Sequence, residues 1–115
     1  LRALLDEQVP ADLAALISAA GPHHEIRTVA DEGWKGLKNG ALLQQMREAE
    51  FDALVTIDRR MEYQQNIPRS GIALVVMHAF RARIQELAPL APSVSEALDR
   101  IQPGEVIHLH APPPE

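Results

Sequence analysis

The sequence predicts an α/β domain, doubly wound around a mostly parallel central sheet of about five strands with helices on both faces. Three observations carry this. Short apolar runs (Leu1 to Leu5, Leu54 to Ile57, Ile72 to Met77) alternate with stretches whose apolar residues recur at helical spacing. The run Ile72-Ala73-Leu74-Val75-Val76-Met77 is continuous and rich in β-branched residues, the composition of a strand buried on both faces. Two runs stop abruptly at acids, Leu4-Leu5-Asp6-Glu7 and Leu54-Val55-Thr56-Ile57-Asp58, as strands do at the rim of a sheet.

Each element follows from local chemistry. Pro10 suits the first turn of a helix, where a missing N–H costs nothing, and Leu13, Leu16, Ile17 and Ala20 give that helix one apolar face. Gly21-Pro22 stops it. Glu25 to Val29 alternates as a short strand, with Ile26 and Thr28 on one face and Arg27 and Val29 on the other. Ala30 to Gly40 reads as a shaped, irregular loop around Trp34. Asn39 is a good N-cap for a helix whose inner face is Leu42, Leu43, Met46 and Ala49.

After the strand ending at Ile57, Arg59 to Asn66 reads as a short helix closed by Ile67-Pro68, and Arg69-Ser70-Gly71 as a turn. Beyond the strand Ile72 to Met77, a helix carrying Phe80, Ile84 and Leu87 runs to the break at Pro89 and Pro92. Ser93-x-x-Glu96 is a capping-box pattern for a last helix facing inward through Val94, Ala97, Leu98 and Ile101. Glu105 to His110 alternates as a final edge strand. Residues 1–110 thus form one domain, and residues 111–115 a proline-rich tail unable to pair in a sheet.

The 115-residue length allows one full core and not two ordinary ones. With no cysteine, disulfide staples and thiolate metal sites are excluded. No apolar run approaches the roughly 20 residues of a membrane helix, and no leader pattern precedes the first strand, so a cytoplasmic protein without membrane partner is expected. Because that strand begins at residue 1, a few native residues are expected ahead of it. The formal charge of −5 argues against a broad nucleic-acid surface. A small one is left open, because Arg59, Arg60, Arg69, Arg81 and Arg83 crowd into residues 59–83.

Right-handed crossovers put every strand's carboxyl end, and every following helix's amino end, on one edge of the sheet. Asp6, Glu7, Asn39 and Asp58 should therefore share a rim. Three carboxylates and an amide oxygen are hard ligands that suit Mg²⁺ or Mn²⁺. Such a metal activates water and offsets charge on a phosphodiester. Capping explains Asn39 and Asp58 equally well without any ligand. The adjacent pair Asp6-Glu7 is less easily a cap, since like charges at a rim need a cation or an arginine.

On these residues the chain resembles the PIN-like proteins. Leu4-Leu5-Asp6-Glu7-x-x-Pro10, a helix beginning near Lys38-Asn39-Gly40, and Val55-Thr56-x-Asp58 are similar in order and spacing to a short bacterial, toxin-like branch of that family. The resemblance implies a metal-dependent ribonuclease, the toxin of a toxin–antitoxin pair, with RNA as substrate, an antitoxin protein as partner and a homodimer as one assembly. It implies catalytic acids Asp6, Glu7 and Asp58, and metal ligands Asp6, Asp58 and Asn39. Two departures bear on activity: Asn39 stands where relatives have Asp, and Arg59-Arg60-Met61 follows Asp58 where relatives often continue with Asp and Phe. A PIN-like fold that has lost catalysis and serves as a binding module is the alternative.

Arg59 and Arg60 read as substrate-phosphate ligands, or as internal partners of Asp6 or Glu7 that leave the site self-satisfied. Gln64-Gln65-Asn66 is placed along the same cleft, or simply at a helix end. His108 and His110 share a strand face and His23-His24 sit in a turn. With no i, i+4 pair and no third carboxylate ligand evident, exposed histidines are the expectation. Phosphate-accepting receiver domains share the acid pattern but need a lysine after the last strand, and this chain has none after Lys38.

Overall fold

A computed structural model describes residues 1–113. In chain order these form β1 (Arg2–Leu5), α1 (Leu13–Ala20), β2 (Glu25–Thr28), α2 (Val29–Glu32), α3 (Asn39–Glu48), β3 (Ala53–Thr56), α4 (Met61–Gln64), α5 (Ile67–Ser70), β4 (Ala73–His78), α6 (Ile84–Leu87), a 3₁₀ turn (Ala88–Leu90), α7 (Ala91–Arg100) and β5 (Val106–His110). The five strands pair in parallel in the order β2-β1-β3-β4-β5. The α/β class holds, with β1 internal and β5 at an edge.

The core explains why β1, β3 and β4 read as unbroken apolar runs. Ala3, Leu5, Val55, Val75 and Met77 pack with Leu13 and Ile17 of α1 and with Val94 and Leu98 of α7. Leu4, Leu54, Leu74 and Val76 pack instead with Leu42, Leu43 and Met46 of α3, Met61 and Ile67. Successive side chains of a strand point to opposite faces, so these two clusters lie on opposite sides of the sheet.

Several local expectations are corrected. Leu16 is 40% exposed, because the short α1 buries only the stripe through Leu13 and Ile17. Residues 29–32 are helical rather than loop: the Thr28 side chain accepts from the Asp31 N–H while its own N–H donates to Asp31, a capping box that takes Val29 out of the strand. Asn39 is the first residue of α3, not its cap, which is Lys38 and makes no side-chain bond. Ile67-Pro68 opens α5 rather than closing α4, with Asn66 Oδ1 accepting from the Arg69 N–H. Arg69 and Ser70 therefore belong to α5, and only Gly71, at φ 74°, is the turn.

Phe80 lies outside any helix and is 75% exposed. Pro92 does not break a helix but sits in the first turn of α7, where its missing N–H is harmless; Ser93 and Glu96 thus lie inside the helix and form no capping box. The Ala111 N–H donates to the His78 carbonyl (2.8 Å), so the tail pairs for one residue further than expected. Its last two residues, Pro114 and Glu115, lie outside the described residues. No helix among the described residues is long and apolar enough to cross a membrane.

The strand order has one functional consequence. From β1 the sheet grows to β2 on one side, and β3 then returns on the other. The order 2-1-3-4-5 reverses between β1 and β3, and open α/β sheets bind ligands outside the carboxyl ends of the strands at such a switch point.

Candidate functional site

Asp6 directly follows β1, and Asp58 lies two residues past β3, so both stand at the switch point. The Asp6 N–H donates to the Val55 carbonyl (2.9 Å), carrying the β1–β3 pairing to the rim. Thr56, the last residue of β3, is fully buried, and its hydroxyl must find partners. It donates to Asp6 Oδ2 (2.7 Å) and accepts from the Asp58 N–H (3.0 Å), so one side chain ties both acids. From sequence Thr56 reads only as part of a strand; a lone hydroxyl in the run Leu54-Val55-Thr56-Ile57 is the signal that marks it.

The remaining carboxylate oxygens are also held. Asp6 Oδ1 accepts from the Glu7 N–H (2.8 Å), and Asp58 Oδ1 from the Arg60 N–H (2.9 Å). Asn39 donates its amide nitrogen to Asp58 Oδ2 at 3.4 Å. Released from the cap, Asn39 thus orients Asp58, and its nitrogen rather than its oxygen faces that acid. Asp6, Asn39 and Asp58 are half-buried.

Glu7 does not join them. It is exposed, and its Oε1 accepts from the Gly36 N–H (2.7 Å) in the loop before α3. Accordingly the ligand oxygens of Asp6, Glu7 and Asp58 do not all lie within 4.8 Å of one another. Neither Arg59 nor Arg60 pairs with Asp6 or Glu7. Arg60 faces Asp58 instead (Nε–Oδ1 3.7 Å), but with its side chain 79% exposed this contact is worth little.

Two recesses flank the acids. One, of ≈ 310 Å³, is lined by Asp6, Glu7, Gln8, Thr28 and Lys35; the other, of ≈ 380 Å³, by Gln8, Ile57, Asp58, Arg59 and Arg60. They meet at Gln8, so the rim is one interrupted groove. Gln65, Asn66 and Arg69 line a different recess, with Gly40 and Arg47, and not this cleft.

His23, His108 and His110 are exposed as expected, whereas His24 is buried, and groups distant in sequence complete the cluster around it. His23 and His24 both reach Asp99 Oδ1 of α7, at 2.5 and 2.8 Å, and the His24 side chain is only 2% exposed. These three are the one group of acids and histidines among the described residues whose ligand atoms all lie within 4.8 Å of one another. The same bonds hold the Asp99 carboxyl below its ordinary range. His24 Nδ1, however, accepts from the Leu1 nitrogen (3.1 Å), so the ring's proton belongs on Nε2 and points at Asp99. His108 bonds His78 and Glu62.

No family model, curated protein or solved structure matches this chain. The chemistry of the site therefore rests on its own donors. Mg²⁺ keeps several waters and is commonly held by one or two carboxylates plus substrate phosphate. Asp6 and Asp58, oriented by Thr56 and Asn39 and open to the groove, fit that description.

Proposed function

We propose that this chain is a PIN-like, divalent-metal-dependent ribonuclease with its centre at Asp6 and Asp58. The observation that carries the reading is the Thr56 bridge, which ties the Asp6 carboxylate to the Asp58 backbone N–H at the sheet's switch point. Asp6 and Asp58 would hold Mg²⁺ or Mn²⁺, and the ion when bound supplies charge neutralisation and an acidified water. Thr56 and Asn39 aim the carboxylates. Arg59 and Arg60, on the wall beside Asp58, hold substrate phosphate. Glu7 borders the neighbouring recess and shapes it through Gly36.

Asp6→Asn and Asp58→Asn are expected to abolish Mn²⁺-stimulated cleavage of single-stranded RNA while leaving the far-ultraviolet spectrum intact. A wild-type protein no faster than these variants would remove the enzyme reading. The second reading, a PIN-like binding module without catalysis, is favoured by two observations: among the described residues no third acid groups with the pair, and the neutral Asn39 stands beside Asp58. A toxin role adds an antitoxin protein as partner; a small gene beside this one, whose product co-purifies with the chain, tests that. Size-exclusion chromatography with light scattering tests the proposed homodimer.

A further inference from the structure

Next to the acid pair, three elements converge on a second constellation. β4 ends at His78, and β5 brings His108 and His110 beside it, with His110 opposite His78 in register. His78 Nε2 lies 2.7 Å from His108 Nδ1, and His108 Nε2 lies 2.9 Å from Glu62 Oε1 of α4. His110 stacks on His78, with ring centroids 4.4 Å apart and planes at 22°. His78 and His110 line a recess of ≈ 280 Å³ together with Arg59, Phe80 and Pro112. Arg59 also lines the recess of Asp58, so the two recesses share this residue. Among the described residues Arg59 forms no ion pair.

Proton counting along the chain fixes the tautomers. An ionised carboxylate only accepts, so His108 Nε2 carries a proton toward Glu62. A neutral imidazole has one such proton, so His108 Nδ1 is an acceptor and His78 Nε2 must donate to it. That leaves His78 Nδ1 with a bare lone pair. When His78 takes up a proton, its positive charge is stabilised through His108 by Glu62, as a carboxylate stabilises the imidazolium of a catalytic triad.

We propose that this recess is a phosphoester site in which the Glu62–His108–His78 relay presents His78 as general base and Arg59 holds the phosphate. It rests on the ribonuclease reading for the identity of the substrate and adds the proton acceptor that the acid pair lacks. In hydrolysis, His78 Nδ1 takes a proton from the attacking water as its oxygen forms the new P–O bond. The P–O bond to the leaving ribose oxygen breaks, and that oxygen takes a proton from solvent. Burial holds His78 below its ordinary value of 6.5, and the charges of His110, Arg59 and His108 add to this against the opposing Glu62, so at neutral pH the base is free.

Long-range ¹H–¹⁵N spectra of the full chain, with adenosine 5′-monophosphate as probe, test the relay directly. The expected result is a neutral His78 protonated on Nε2, shifting with the nucleotide in wild type and not in Arg59→Gln. In cleavage assays, His78→Gln is expected to lower kcat about 100-fold or more with KM little changed, and to remove the acidic limb of the pH profile. Glu62→Gln, which keeps the side-chain volume, should slow cleavage less and lower the pH at which His78 is half-protonated, because the carboxylate that favours the charged ring is gone. A His78 proton on Nδ1, a His78 signal blind to the nucleotide, or full activity of His78→Gln beside inactive Asp6→Asn would each overturn the proposal. If wild type cleaves nothing, the ribonuclease reading fails, and the spectra alone decide the relay and its phosphate site.

Discussion

A single hydroxyl organises the rim. Thr56 is the only polar side chain in the buried β3, and it spends both halves of its hydrogen-bonding capacity on the acids that flank it. Thr56→Val keeps the shape and β-branching but leaves Asp6 Oδ2 and the Asp58 N–H without that partner. We expect a loss of about 1–3 kcal/mol, read as a lower urea midpoint at unchanged slope, with Thr56→Ser retaining most of the stability. A Val variant as stable as wild type would mean that water replaces the hydroxyl and that the bridge is incidental. At this scale the sequence was only partly legible. That Asp6 and Asp58 end strands could be read from where apolar runs stop, whereas the turning of Glu7 toward Gly36 depends on a loop conformation that no local pattern encodes. The partners of His78, His108 and His24 come from positions 23 to 75 residues away, which periodicity cannot reveal.

Among the elements, strands and long helices were legible because burial imposes a period on them, and short elements were not. α2, α5 and α6 have four residues each, too few for an apolar stripe, and are set by capping and by what they pack on. Proline at position 92 illustrates the ambiguity, since the same residue that ends one helix is well placed to begin the next. The turn from α7 into β5 is fixed instead by backbone geometry. Gly104 has φ 78°, and a Cβ there would meet the Pro68 carbonyl oxygen at 2.9 Å. Gly104→Ala therefore faces both a left-handed conformation and a backbone wall in α5. A destabilisation of roughly 1–3 kcal/mol is expected in thermal or urea unfolding. No loss would show that this turn is free to relax, and with it the placement of β5 and the histidines it carries.

For the molecule as a whole, the fold supplies the site. A parallel sheet collects strand ends on one edge, the 2-1-3-4-5 order opens a crevice between β1 and β3, and the acids stand there. The same edge carries His78 and His110 one and two strands further along, so acids, arginine and histidines line one edge of the sheet. That strand ends share one edge follows from the alternation of strands and helices visible in the sequence; the strand order and the occupant of the crevice do not, because oriented carboxylates serve a metal centre and a structural rim alike. The most direct test is a thermal melt with and without millimolar Mn²⁺, made on wild type, Asp6→Asn, Asp58→Asn and Asp99→Asn. Binding to the native state alone stabilises by mass action, by roughly 2.7 kcal/mol at a hundredfold excess over Kd. The account predicts a raised Tm in wild type and Asp99→Asn and none in Asp6→Asn or Asp58→Asn. An unshifted wild type, or a shift that survives both rim substitutions and disappears with Asp99, would contradict it.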